Sequence, residues 1–252
     1  MMKYLPSSAI MYLNNRNGDT AYNEIRWIGA ERMNRTQAVL FDLDNTLLDR
    51  TQTFRKFAES FAETYFSHLA HTEAVIAQIV ERDQDGYKDK AKLFEELLEV
   101  LPWDVKPTHA ELMLFYESRY VTCAVLMEYA EEIIDYVRAK YRIGLITNGR
   151  TVIQYGKIDR LGLRDLFDVI VVSEEAGVKK PNPEIFNKAV ESLGLRADQC
   201  LYVGDHPVND IQGAGKAGMG AVWIEVNQPW NEQLTIHPAH KIKSLKELIQ
   251  IL

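Results

Sequence analysis

Cysteine is scarce, with Cys123 and Cys200 the only two among 252 residues. Two thiols cannot build a disulfide framework, and their rarity suits a reducing compartment. Nowhere do about 18 apolar residues run together, so no membrane-spanning helix is expected. Basic charge is also short: Lys plus Arg is 29 against 36 Asp plus Glu, for a formal net charge of -7. Binding a nucleic-acid polymer calls for a basic face that such a chain lacks, although a local basic pocket stays compatible. What is present is 46% hydrophobic and 26% charged residues, the composition of a globular protein. At roughly 150 residues per domain, the length suits one to two domains. The expectation is a soluble, acidic, cytoplasmic chain of enzyme size. Oligomeric state is not legible, because neither a heptad pattern nor an isolated exposed strand announces a partner.

Residues 1–35 differ from the rest. Pro6-Ser7-Ser8 and Asn14-Asn15-Arg16-Asn17-Gly18-Asp19 are polar, turn-rich stretches without a sustained period. They carry no apolar core ending in a small-residue cleavage site, so no signal peptide is expected. This segment reads as a loosely ordered extension, with Met33 as the expected natural start. Asn34-Arg35-Thr36 matches a glycosylation sequon by chance.

The pattern sharpens at Ala38-Val39-Leu40-Phe41, a continuous apolar run suited to a buried parallel strand. Residues 51–120 then show helical periods and almost no strand signal. Phe54, Phe57, Ala58, Phe61 and Tyr65 share one helix face; Ala91, Phe94, Leu97, Leu98 and Leu101 share another. Asp83-Gln84-Asp85-Gly86 reads as a loop. After Met127, strands near 142–146, 168–172, 200–203 and 221–224 alternate with helices near 127–140, 151–161, 182–193, 208–217 and 244–251. Strands separated by single helices imply βαβ crossovers and a parallel sheet covered on both faces. The helical stretch after the first strand is too long for one crossover and reads as an insertion. The expected division is an extension over 1–35, a core over 36–50 and 125–252, and a helical cap over 51–124.

In open parallel sheets, ligands sit beyond the carboxyl ends of the strands. Asp42, Asp44 and Thr46 follow the first strand; Thr147, Asn148 and Gly149 follow the second. Lys179, Lys180 and Pro181 come after the third. Gly204, Asp205 and His206, with Asp210 five residues past Asp205, come after the fourth. Two carboxylates about 4 Å apart repel by roughly 4 kcal/mol at an effective dielectric of 20, so several gathered acids need protons or a cation. The ligands are hard oxygens with no Cys or His cluster competing, which favours Mg²⁺. Lys180 and Thr147 then suit phosphate oxygens. A carboxylate attacking phosphorus would split hydrolysis into two steps, with a second carboxyl moving the protons.

Asp42-Leu43-Asp44-Asn45-Thr46-Leu47, Ile146-Thr147-Asn148-Gly149, Lys180-Pro181 and Gly204-Asp205-His206-Pro207-Val208-Asn209-Asp210 resemble the four ordered motifs of the haloacid dehalogenase (HAD) superfamily. The resemblance spans about residues 38–224, with the insertion in the place of that family's cap. It implies an α/β, Rossmann-like parallel sheet with an inserted α-helical cap domain. It also implies an Mg²⁺-dependent phosphatase acting on a small phosphorylated metabolite through an aspartyl-phosphate. By the same resemblance Asp42 is nucleophile and metal ligand, and Asp44 is general acid/base and ligates metal through its carbonyl. Thr147, Asn148 and Lys180 bind the phosphoryl group, Lys180 also steadying the nucleophile. Asp205 completes the metal site and Asp210 supports it from nearby.

The superfamily's dehalogenases lack the counterpart of Asp44, so its presence favours phosphate chemistry. Phosphomutase and phosphonatase readings remain open, the latter through a cap lysine among Lys56, Lys88, Lys90, Lys92 and Lys106. A silent binding module is disfavoured because no motif carboxylate or lysine is missing. Gly213-Ala214-Gly215-Lys216-Ala217-Gly218 matches a dinucleotide fingerprint but sits within a helix, where close packing explains it better. The Asp42–Thr46 run fits a calcium loop poorly, since Leu47 takes its glycine position. His68 and His71 lack a third ligand for zinc. Cys123 and Cys200 read as small apolar residues. Phe54 and Phe57 are expected in the cap core, with Arg55 and Lys56 on a solvated face.

Overall fold

The computed structural model describes residues 35–252; residues 1–34, including Met33 and Asn34, lie outside them. Six parallel strands form one sheet: β1 Ala38–Phe41, β2 Arg142–Thr147, β3 Val169–Val172, β4 Cys200–Gly204, β5 Gly220–Ile224 and β6 His240–Ile242. Their spatial order is β3-β2-β1-β4-β5-β6. The chain winds outward from β1 in one direction through β3 and in the other from β4, so the order reverses between β1 and β4. A crevice forms beyond the strand ends at such a reversal.

Side chains alternate cleanly across the sheet. Val39 and Phe41 enter one apolar cluster with Leu145, Val203 and Val222. Ala38 and Leu40 enter the opposite one with Phe186, Tyr202 and Trp223. All four β1 residues are fully buried, as a strand with helices on both faces requires.

The insertion contributes four helices: α1 Arg50–Tyr65, α2 Glu73–Asp83, α3 Lys90–Val100 and α4 His109–Arg119. Asp49 caps α1, its carboxylate accepting from Gln52 N at 2.8 Å. Thr108 and Glu111 form a capping box on α4. Phe54, Phe57, Phe61, Phe94, Tyr116 and Tyr120 join in an apolar cluster distinct from the two against the sheet. Phe57 meets Tyr116 edge to face with centroids 5.5 Å apart. Arg55 pairs outward with Glu59 and Glu73, and Lys56 is exposed. The chain leaves and returns side by side: Asp49 N donates to Val125 O at 2.9 Å and Met127 N to Leu47 O at 2.8 Å.

The core helices are α5 Ala130–Arg138, α6 Thr151–Arg160, α7 Ser173–Ala176, α8 Pro183–Ser192, α9 Gly213–Lys216 and α10 Leu248–Ile251. Three features depart from the sequence expectation. The segment expected as one helix over 208–217 begins as a π-helical turn, Pro207–Gln212, before α9. The final helix opens as a 3₁₀ turn, Leu245–Glu247, capped by Ser244. Strand β6 was not expected, because a three-residue edge strand with an exposed centre carries no period. Among the described residues no helix is long and apolar enough to cross a membrane.

Candidate active site

Asp42 ends β1 and Asp205 ends β4, the two neighbouring strands at the reversal, tied by Asp42 N donating to Val203 O at 2.9 Å. Ligand atoms of Asp42, Asp205 and Asp210 lie within 4.8 Å of one another. The π-helical turn makes this possible by swinging Asp210 back beneath Gly204. A Cβ on Gly204 would fall 2.5 Å from the Asp210 carboxyl carbon, so glycine is needed for the close approach. His206 caps the turn, its Nδ1 accepting from Val208 N and Asn209 N. Trp223 Nε1 donates to Asp205 O at 2.7 Å and fixes that backbone.

Lys180 is buried, and its Nζ lies 2.7 Å from both Asp42 and Asp210. Tyr202 hydroxyl also meets this ammonium, at 3.0 Å. Burial would lower the Lys180 pKa, but the Asp210 and Asp42 charges raise it well above the ordinary lysine range. Asn148 holds the lysine's backbone from both sides: its amide donates to Lys180 O at 3.0 Å and its oxygen accepts from Lys180 N at 2.9 Å. Asn148 borders the cavity, while its carboxamide is committed to bracing the second motif against the third.

Three carboxylates therefore face one ammonium. Asp210 is spoken for, one oxygen by Lys180 and the other by His206 N at 2.9 Å. The Asp205 carboxylate takes no hydrogen bond from the described residues. Burial, opposed by Lys180 and reinforced by the Asp210 charge, pushes Asp42 up to about 7. Burial and the charges of Asp210 and Asp42 raise Asp205 well above the carboxylate range. A hard cation fits this all-oxygen, under-neutralised set, with Asp205 and the Asp42 oxygen not held by Lys180 open to ligate and Asp210 holding position behind them.

Asp44 faces the other way. Lys157 Nζ, from α6, lies 2.6 and 2.7 Å from its two oxygens, and Gln154 Nε2 donates to it at 2.9 Å. Burial works to raise the Asp44 pKa, but the Lys157 ammonium, the Gln154 amide and the Arg50 charge outweigh it and hold the carboxyl low. Gln154 also donates a short hydrogen bond to Thr147 Oγ1. Sequence reasoning missed Gln154 and Lys157. The available signal was polar residues at buried positions of an amphipathic helix, between Ile153 and Ile158.

Asp42, Asp44, Thr147, Lys180, Asp205 and Asp210 all line one cavity of about 370 Å³. A second cavity of about 600 Å³ adjoins it and shares Asp44, Arg50, Tyr87 and Asn148. Its wall toward the insertion includes Met113, Tyr116 and Tyr120, with Ile153 and Arg150 opposite. Lys88 and Lys90 border it too, paired with Glu96 and Asp83 respectively. Arg50 was also unforeseen: buried at the start of α1, it binds Asp83 at 2.6 Å and Asp85 at 3.4 Å.

The remaining candidates lie elsewhere. Gly213 packs against Phe186, where a Cβ would sit 2.7 Å from the ring, so the glycine-rich run serves packing. His68 and His71 enter no metal-binding group among the described residues. Cys200 is buried, and neither cysteine is in a disulfide.

The profile of the family described as "Haloacid dehalogenase-like hydrolase" matches residues 39–224. A glyceraldehyde 3-phosphate phosphatase of Pyrococcus abyssi is 30% identical over 193 residues, covering 75% of this chain and 81% of that one. The pyrimidine 5'-nucleotidase YjjG of Escherichia coli is 39% identical over 124 residues, 49% of this chain and 55% of its own. Among solved structures, the magnesium-bound HAD-hydrolase YfnB of Bacillus subtilis superposes with a TM-score of 0.71 at 28% identity. The match covers 86% of this chain and 99% of that one. With its ordered motifs gathered at the β1/β4 crevice, the chain belongs to the haloacid dehalogenase-like hydrolases.

Proposed function

We propose that the protein is a Mg²⁺-dependent phosphatase of small phosphomonoesters, working through an aspartyl-phosphate. The observation that carries this reading is the Asp42–Lys180–Asp210 contact beside the unpartnered carboxylate of Asp205, at the floor of a cavity that Asp44 also lines. The named substrates of the relatives, glyceraldehyde 3-phosphate and pyrimidine 5'-nucleotides, belong to the same chemical class.

Asp42 is the nucleophile, with Lys180 holding its carboxylate beside the phosphoryl site. Thr147 and Lys180 supply donors to the phosphoryl oxygens, with Asn148 fixing the lysine's backbone. Asp44, held ionised in the free protein, takes up a proton as the ester enters, gives it to the departing oxygen and later takes one from the attacking water. Asp42, Asp205 and the Asp44 carbonyl would hold the cation, with Asp210 supporting. Bound there, the cation would offset the carboxylate charge and stabilise negative charge on the phosphoryl oxygens. The insertion over 51–124 acts as a cap on the core over 36–50 and 125–252. Its Tyr87, Tyr116 and Tyr120 enclose the leaving group and exclude water.

The test is phosphate release from 4-nitrophenyl phosphate and a panel of metabolite phosphates, with and without chelator. Wild type is expected to turn over and to stop on chelation. Asp42→Asn is expected to lose at least about 10³-fold while keeping the wild-type circular dichroism. A folded Asp42→Asn protein with near-normal rates would remove Asp42 as nucleophile. Transfer of phosphate within a substrate rather than to water would make the protein a mutase.

A further inference from the structure

We propose that Lys157 and Gln154 are positioning residues that aim the Asp44 carboxylate and tie it to Thr147. This rests on the phosphatase reading, in which Asp44 handles the protons.

Both side chains leave α6 three residues apart and so share one helix face. Lys157 spans both oxygens of Asp44 at 2.6 and 2.7 Å, while Gln154 takes Oδ2 at 2.9 Å. These are the only hydrogen bonds that the Asp44 side chain makes among the described residues. Without them the carboxylate would lose each hydrogen bond that sets its direction. Gln154 spends its other contact on Thr147 Oγ1, so one amide joins the proton-handling group to a phosphoryl-binding hydroxyl. The helix carrying both is itself fixed, with Ile153 and Ile158 buried. It begins two residues after Gly149, where a Cβ would sit 2.9 Å from the Gln154 carboxamide carbon.

A buried lysine is expensive unless paired. Lys157 is 2% exposed, and Asp44 is its only acidic partner within salt-bridge distance among the described residues. An ion pair that served packing alone could sit anywhere in the core. This one engages the carboxylate that must stand within reach of the leaving oxygen and then of water. A carboxyl misaimed by about 1 Å loses much of its catalytic effect.

Leaving groups of graded basicity separate positioning from folding. Phenyl phosphate needs a proton to expel its oxygen; 4-nitrophenyl phosphate needs one less, and 2,4-dinitrophenyl phosphate scarcely at all. The readout is single-turnover phenol release from the full chain with Mg²⁺, enzyme in excess, which isolates the first step. Lys157→Met is expected to slow release from phenyl phosphate by about 10- to 100-fold. The dinitrophenyl ester should change by less than about 3-fold. Gln154→Leu, which keeps the ion pair, is expected to tilt the same series less steeply, and it carries the test if Lys157→Met does not fold. Equal losses across the series in both variants, or no loss, would overturn the positioning role while leaving the phosphatase reading intact. A folded wild type that releases nothing from any ester would overturn both.

Discussion

Three carboxylates around a single ammonium make the pH response of the metal-free chain calculable in sign. Asp42 sits at about 7 in the fold against an ordinary 3.8. Between about pH 4 and 7 the folded chain therefore holds a proton that the unfolded chain has released, and stability falls as pH rises through that window. A cation binding the ionised carboxylates reverses the loss. Thermal melts are expected to show Mg²⁺ raising Tm by several degrees near pH 8 and by much less near pH 5. A metal-free Tm that does not fall across the window would mean that the acids are balanced by something other than a bound proton. At this scale the sequence was unevenly legible. Asp42, Asp44, Thr147, Lys180, Asp205 and Asp210 could be found because strand ends at a parallel sheet edge converge whatever lies between them. Gln154 and Lys157 could not, because a polar residue on a helix reads as solvated until the partner across the crevice is known.

Among the elements, the 3₁₀ turn Gln84–Gly86 binds the insertion to the core. Gln84 and Asp85 both adopt the left-handed region, at φ 52°. Asp85 receives Nδ2 of Asn45 at 3.3 Å and of Asn227 at 3.2 Å, both from the core. Arg50 reaches across to Asp83 and Asp85, and Lys90 shares Asp83 at 2.7 Å. Arg50→Leu leaves Asp83, 1% exposed, with Lys90 as its only counter-charge among the described residues. Loss of a hydrogen bond to a buried charge costs about 1–3 kcal/mol, and the turn before Tyr87 loses one of its anchors. The expected result is a lower Tm with KM raised more than kcat is lowered. An unchanged KM alongside a lower Tm would show that the turn does not touch the leaving group. A contact between residues 33 apart leaves no trace in periodicity, which is why the loop's position was foreseen and its role was not. The π-helical turn was hidden for a related reason: 208–217 reads as continuous helix unless the close approach of Asp210 to Gly204 is already known.

Taken whole, the molecule has two apolar clusters against the sheet and a third built mainly by the insertion, which Ile153 of α6 joins from the core. Phe57 is central to the third, touching Phe54, Phe61, Phe94, Phe115, Tyr116 and Tyr120. Phe57→Ala should cost about 3–5 kcal/mol. Hydrogen exchange is expected to quicken over residues 50–120 while β1, β2 and β4 stay protected. Equal quickening throughout would show one cooperative unit instead of two.

The paired crossing at Asp49–Val125 and Leu47–Met127 has an evolutionary corollary. Because exit and return are hydrogen-bonded neighbours, the insertion is a closed excursion that can be exchanged without rerouting a single strand. Grafting a relative's corresponding stretch between those two crossings is then a compact way to retarget the same chemistry, with the new preference read from KM across substrates.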